Sequence, residues 1–358
     1  MRMKRQTWNA VQNHIQLGAA LVSILLNSIL VCLIVLKSPK SLGPYKYLMI
    51  FISVFEMLYS VTDVIVSPFF HSYRSTFLLM VNLKTSMFSP TVTFALTSIY
   101  CAFFGSSLAI FGIHFIYRYF ASVGSKRLQY FHGAYLFLWL IPPLLFGALW
   151  AHEAFALCQD PAIQKFIRSN IMETFEIDVD DTLYIGPYFY QKQDDGSFVI
   201  DTTAISAMLT IYSSVFASFF TITYFGIKCY RNIKKLVPRS KLFRSAALQS
   251  QLFYALVTQT LIPVILMHVP VTLVYGFALF DKDIGMLSGF VSIAIALYPA
   301  IDPIPNIFII KAYRRALADT IIKIVFFWQK LDPIPSKKTN TPATTLAPQS
   351  VEISVSTL

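Results

Sequence analysis

Seven long apolar stretches, parted by loops that hold most of the charge, constrain this chain before any other property does. They run roughly over residues 15–36, 47–69, 90–117, 131–150, 202–227, 253–279 and 286–310. Each reaches the ~20 apolar residues a helix needs to cross a ~30 Å hydrocarbon core. Lipid offers no water to the backbone, so every N–H and C=O must bond inside its own segment, as a helix allows. The expected fold class is an all-α membrane protein built as a seven-transmembrane helix bundle. A composition of 56% hydrophobic and 13% charged residues over 358 positions agrees, being too apolar for an ordinary soluble domain.

Positive charge orients the bundle. With the amino terminus outside, the cytoplasmic segments hold 20 of the 29 Lys and Arg residues, and the opposite face holds nine. Lys37, Lys40 and Lys46 flank the first inner turn, and Arg118, Lys126 and Arg127 the second. Seven more lie between Lys228 and Arg244, and seven from Lys311 onward. The positive-inside rule therefore gives an amino terminus outside and a carboxyl terminus in the cytoplasm. The net charge of +11 lies beside the spans, not in an aromatic-interleaved patch, which suits anionic inner-leaflet lipid and argues against nucleic acid. The first apolar run is too long for a cleavable signal peptide and lacks a small-residue cleavage site, so it reads as an anchor.

The remaining segments divide as follows. Residues 1–14 form an extracellular tail, 15–310 the membrane domain, 311–330 a helix along the inner surface and 331–358 a disordered cytoplasmic tail. The loop 151–201 is the one large outer segment and carries ten of the eighteen acids. Its Asp195-Gly196 pair between aromatic and β-branched runs predicts a β-hairpin near 188–200. That hairpin is either a lid over a ligand pocket or part of a solvated acidic loop. Between Lys311 and Lys330 basic residues alternate with Leu317, Ile321, Ile324 and Phe327, as in a surface-lying amphipathic helix. The Ser/Thr/Pro-rich tail ends in Ser356-Thr357-Leu358, which fits a short ligand for a PDZ protein. Four cysteines say little: Cys32, Cys101 and Cys229 fall within spans or at their ends, and only Cys158 is in an outer loop. A Cys101–Cys158 bond stays open, with the depth of Cys101 against it: some 17 residues, about 25 Å of helix, separate it from Arg118.

Ionisable groups inside spans are costly, about 2.5–3.5 kcal/mol each, and usually have a role in the bundle. Glu56 and Asp63, seven residues apart on one face of the second span, extend a polar stripe with Tyr59, Ser60 and Ser67. Glu56 reads as an internally bonded acid, and Asp63, nearer the outer end, as a pocket residue. Pro263 and Pro270 bend the sixth span and mark either a hinge or a static kink. His268 on the same helix is a core histidine or a ligand group. No zinc-binding His-Glu-x-x-His, nucleophile turn or phosphate-binding Gly-rich loop occurs, so neither an enzyme nor a cofactor is expected.

Four short motifs add a resemblance. They are Leu42-Gly43-Pro44-Tyr45-Lys46-Tyr47 before the second span and His114-Phe115-Ile116-Tyr117-Arg118-Tyr119-Phe120 at the inner end of the third. Gln251 to Pro263 lies in the sixth, and Tyr298-Pro299-Ala300-Ile301-Asp302-Pro303 followed by Tyr313-Arg314-Arg315 closes the seventh. In this order they closely resemble the Str class of nematode seven-transmembrane chemoreceptors, which are G-protein-coupled receptors (GPCRs). The resemblance implies an olfactory receptor in the ciliary membrane of chemosensory neurons, detecting a small apolar or volatile odorant and signalling to a heterotrimeric G protein. Depth counting between spans two, three, five, six and seven then offers Asp63, Tyr100, Phe104, Tyr212, His268, Tyr275 and Ser292 as pocket residues. Tyr117, Arg118, Tyr119, Lys234, Lys235, Arg239, Pro263, Asp302 and Pro303 are the candidates for coupling and activation. Arg118 sits where rhodopsin-like receptors carry the Arg of an Asp-Arg-Tyr motif, but Tyr117 precedes it and no acid occurs in the third inner loop. Tyr117, Tyr119 or Asp302 is therefore the expected restraint on Arg118. A seven-span channel, a transporter and a non-signalling trafficking partner are the rival readings.

Overall fold

A computed structural model describes residues 5–192, 195–236, 243–282 and 284–331. The chain divides into two compact units, Met1–Leu317 and Ala318–Leu358. Arg239 and the carboxyl-terminal Ser356-Thr357-Leu358 lie outside the described residues, as does most of the expected tail.

The first unit is an up-and-down helix bundle. Helices α1 (Arg5–Lys37) and α2 (Tyr45–Val66) precede a hairpin of β1 (Phe69–Tyr73) and β2 (Thr76–Asn82). Helix α3 (Pro90–Val123) follows, and the fourth span is made of the short α4 (Tyr135–Leu138) and α5 (Ile141–Ala156). Next come α6 (Pro161–Phe175), the strands β3 (Thr182–Ile185), β4 (Tyr190–Lys192) and β5 (Phe198–Ile200), and α7 (Thr202–Leu236). The sixth span is α8 (Phe243–Pro263), a π-helical turn (Val264–His268) and α9 (Val269–Leu279). The seventh is α10 (Gly289–Ile301) with α11 (Pro303–Ile309), and α12 (Lys311–Leu331) ends the described chain. Among the described residues, seven helical segments are long and apolar enough to cross a membrane. In the second unit, α12 presents Ile321, Ile322, Ile324 and Phe326 as exposed side chains.

Local chemistry sets the boundaries. Pro90 opens α3 at a position whose N–H would have no helical partner. Gly124, at φ +62°, closes it in the left-handed conformation that costs glycine least. At the other end of the second span, Ser67 adopts φ +47° just before Pro68, and the chain turns into β1. Helix α1 begins at Arg5 and so takes in most of the expected amino-terminal tail. Helix α5 runs six residues past the expected end of its apolar stretch, to Ala156.

A three-stranded antiparallel sheet, in order β1-β2-β3, covers one end of the bundle. Residues 151–201 are therefore not the only structured segment there: 67–89 supplies two of the three strands. Strand β2 is central and buried on both faces. Phe77, Leu79 and Val81 pack into the bundle core with Phe70, Tyr100 and Val274. The alternate residues Leu78 and Met80 pack on Ile163, Ile167 and Ile171, one face of α6. The sheet is thus a layer between bundle and α6. Edge strand β1 is closed by serines: Ser292 Oγ accepts from Phe70 N, Ser288 Oγ accepts from Ser72 N, and Ser288 donates to the Phe70 carbonyl, each at 3.2 Å. Three acids of the long loop, Asp178, Asp180 and Asp181, clasp this cap. Arg168 binds Asp180 at 2.8 Å and Asp178 at 3.2 Å, and its hydrogen bonds hold the Asp180 carboxyl below its ordinary range. Lys84 pairs with Asp181 at 2.5 Å, and Arg74 reaches Asp281, between spans six and seven, at 2.7 Å. Strands β4 and β5 pair in a separate hairpin whose Phe198, Val199 and Ile200 are exposed.

Helices α3 and α5 pack tightly at Gly147, which faces Ser106 and Ala102. A Cβ at Gly147 would stand 2.6 Å from Ser106 Oγ and 3.2 Å from the Ala102 carbonyl. Gly147→Ala should push these helices apart and destabilise the purified protein by about 1–3 kcal/mol. Gly276→Ala in α9, where a Cβ meets nothing within 4 Å, should be neutral or mildly stabilising. Thermal unfolding in detergent compares the two, and equal losses would contradict the packing described.

Candidate functional site

Beneath the sheet lies a cavity of about 60 Å³. Phe70, Phe77, Leu79, Ile185 and Gly186 roof it, Tyr100, Cys101 and Phe104 of α3 form one wall, and Trp150, Glu153, Ala154 and Leu157 another. Ile211, Val271 and Tyr275 complete it. The Trp150 indole is fixed by donating to Ser214 Oγ at 3.0 Å and stacks on Phe104 at 4.9 Å. Phe104 in turn meets His268 edge-on at 4.8 Å. On the roof side Phe77 stacks on Phe70 at 5.4 Å and meets the Tyr275 ring edge-on at 4.7 Å. The lining is aromatic and aliphatic with few polar groups, as expected of a small-molecule site. Its volume is under half of the ~150 Å³ that admits benzene to an engineered cavity, so a ligand of that size needs the walls to give way.

Of the residues expected at the pocket, Tyr100, Phe104 and Tyr275 line it. His268 lies one layer below, on the π-helical turn, with its Nε2 3.5 Å from Ser107 Oγ. Asp63 stands behind Tyr100 and outside the lining. Tyr212 is also outside it and partly exposed on α7. Ser292 is occupied in holding β1. Depth counting missed the fourth span, because the pocket was expected between spans two, three, five, six and seven, and missed the sheet, because its lining strands lie beyond the apolar stretches.

Midway along the bundle a buried polar layer joins four spans. Gln259 donates to the Asp302 carboxyl and accepts from Asn306 Nδ2 at 3.0 Å. Pro303 has no N–H to give the carbonyl of Pro299 four residues earlier, and Asn27 of α1 supplies the missing donor at 3.1 Å. Glu56, wholly buried, lies beside Asp302, Asn27 and Tyr298. The break between α10 and α11 is therefore held by side chains of its neighbours.

At the end opposite the sheet, Arg118 is 1% exposed. Its Nη2 donates to the side-chain oxygen of Gln249 on α8, and to the Gln249 carbonyl at 3.5 Å. Its guanidinium lies over the Tyr45 ring at 4.8 Å. Tyr45 stacks on Tyr117 at 5.1 Å, and Tyr117 meets Phe131 edge-on at 5.0 Å. The partners of Arg118 thus differ from the expected ones. Tyr117 acts only through Tyr45, Tyr119 packs on Phe225 and beneath Lys228, and Asp302 belongs to the polar layer with Gln259. Gln249, which sequence reasoning missed, joins α3 to α8. A charged–neutral hydrogen bond and a cation–π contact together amount to about 2–5 kcal/mol, a latch between α3 and α8. Lys234 and Lys235 are exposed in the last turn of α7.

Gln259→Leu removes the partner of both Asp302 and Asn306 in a dry interior, and should lower stability by about 3 kcal/mol. Thr258→Leu, one residue away on the exposed face, should change it by under ~0.5 kcal/mol. Similar melting temperatures for the two variants would contradict the polar layer.

With cavity, polar layer and latch in place, comparison with known proteins gives them a common context. Residues 12–318 match the family model described as "Serpentine type 7TM GPCR chemoreceptor Str". The chain is 35% identical over 315 residues to "G-protein coupled receptor str-217" of Caenorhabditis elegans, covering 87% of this chain and 90% of that one. It is 31% identical to "Serpentine receptor class r-10" of Caenorhabditis briggsae, covering 80% and 84%. It is 26% identical to "G-protein coupled receptor str-33" of Caenorhabditis elegans, covering 85% and 89%. A multi-pass membrane protein with seven membrane-length helices, this chain belongs to the Str family of serpentine seven-transmembrane GPCR chemoreceptors.

Proposed function

We propose that the protein is an olfactory-type receptor that binds a small, largely apolar odorant beneath its sheet and signals to a heterotrimeric G protein at the Arg118 end. The observation that carries this reading is the arrangement of three layers: a capped cavity, a proline-bounded π-turn below it, and an Arg–Gln latch at the far end. The charge distribution supports an orientation with the sheet end outside, since 20 of 29 basic residues flank the Arg118 end. The receptor then sits in the plasma membrane of a chemosensory cell, in its cilium if it samples the environment.

The mechanism follows from the contacts. A ligand entering the cavity presses on Phe104 and Trp150, and Phe104 bears on His268 within the π-turn. Pro263 precedes that turn and Pro270 follows it by two residues, so the sixth span lacks part of its regular hydrogen bonding there and yields at low cost. Movement of α8 about this point withdraws Gln249 from Arg118. The freed guanidinium and the basic end of α7 then face the G protein, a population shift between two packings. A channel would need a continuous polar path, whereas the polar layer is bounded toward the sheet by the aromatic cluster of Tyr59, Tyr100 and Phe103.

Calcium imaging of expressing cells exposed to a panel of small volatiles, with and without a promiscuous Gα subunit, tests the class. The expected responses require Gα, and currents that persist without it would indicate a channel. Arg118→Ala, at matched surface expression, should abolish the Gα-dependent response, and an intact response would remove Arg118 from the mechanism. Ala154→Leu adds more volume than the cavity holds and should reduce ligand potency at least ~10-fold. Unchanged potency would place the ligand elsewhere.

A further inference from the structure

Taking the cavity as the ligand site, we infer that its ligand is a small basic amine, whose protonated nitrogen is held by Glu153 and whose carbon body fills the aromatic remainder. Glu153 lies one turn from the end of α5, is 7% exposed and is the only charged residue in the lining. Its one ion-pair contact among the described residues is His152 Nδ1 at 3.6 Å, on a side chain 73% exposed, and this is a cation only when protonated. No Lys or Arg lines the cavity. A carboxylate in such surroundings is costly unless a cation accompanies it, and here the cation arrives with the ligand.

A second observation points the same way from the opposite wall. Tyr100 is 1% exposed and its hydroxyl lies against the Asp63 carboxyl and the Tyr59 hydroxyl, so its one proton is directed away from the cavity and its oxygen is left to accept. One oxygen of Asp63, 4% exposed, has no hydrogen-bond partner among the described residues. Acceptors therefore exceed donors around the site, the more so because the one indole N–H in the wall is already given to Ser214. An ammonium group offers three donors and no acceptor. Phe104, Trp150 and Tyr275 make the lining aromatic, and aromatic rings attract a cation more than a neutral group of the same size. A neutral alcohol would leave Glu153 uncompensated, and a carboxylic acid would face Glu153 with Asp63 behind. The volume of about 60 Å³ limits the body to a few carbons.

Isobutylamine and isobutanol, alike in shape, are suitable probes of the purified full-length receptor, read by ligand-dependent thermal stabilisation. The amine should stabilise the wild type at concentrations at least ~10-fold lower than the alcohol. Glu153→Gln should weaken the amine about 100-fold, the usual penalty for removing one partner of a buried charge pair, and leave isobutanol little changed. His152→Ala should leave the amine effect intact. An amine that acts no better than the alcohol on the wild type, or one whose effect survives Glu153→Gln, overturns the assignment. If both probes act alike and both are lost in Ala154→Leu, the cavity remains the ligand site and only the amine is wrong. If both effects survive Ala154→Leu, the cavity reading fails with it.

Discussion

In a hydrocarbon interior a broken helix must find its missing hydrogen bonds in the protein itself, and that constraint decides where this bundle can bend. The seventh span breaks at Asp302-Pro303, and the orphaned Pro299 carbonyl is taken up by Asn27 of α1. Gln259 of the sixth span holds Asp302 and Asn306 on either side of the same break. The sixth span has its own interruption, a π-turn between Pro263 and Val269, five residues above Gln259. Two interrupted helices are thus tied together at mid-depth. A change at one interruption is felt at the other through side chains already in contact.

The cap has a different logic. Strand β2 carries a continuous apolar run because both its faces are covered, one by the bundle and one by α6. Packing that strand closes the cavity, and the Arg74–Asp281 and Lys84–Asp181 pairs fasten its rim. Exposed ion pairs of this kind contribute little to stability, so the cap is held chiefly by its two apolar layers. The cavity is therefore sheltered between the layered cap and the interrupted sixth span beneath it.

Much of this was legible in the sequence, for reasons that differ by residue. The seven spans follow from hydrophobic length, the membrane's own requirement, and the 190–200 hairpin from Asp195-Gly196 between strand-forming residues. The cap was not legible in the same way. Phe77 to Val81 is an apolar run too short to span and too uniform to alternate, which is the pattern of a strand buried on both sides. Tyr100, Phe104 and Tyr275 could be placed by depth because they lie on regular helices. Tyr212 and Ser292 could not, since helix rotation and a serine's choice of backbone partner are set by tertiary contacts. Gln249 escaped notice because a search for an acid opposite Arg118 passes over an amide that does the same work without charge.

The central claim is that the Gln249–Arg118 contact holds α8 against α3 in the resting receptor. Spin labels at Val123 and Tyr254, both exposed, in a background lacking the exposed Cys32, report the separation of these helices in lipid nanodiscs. The distance distribution should be dominated by one short population in the wild type, and Gln249→Ala should transfer part of it to a longer one. Identical distributions in the two proteins would mean that the contact restrains nothing, and the latch would have to be sought elsewhere.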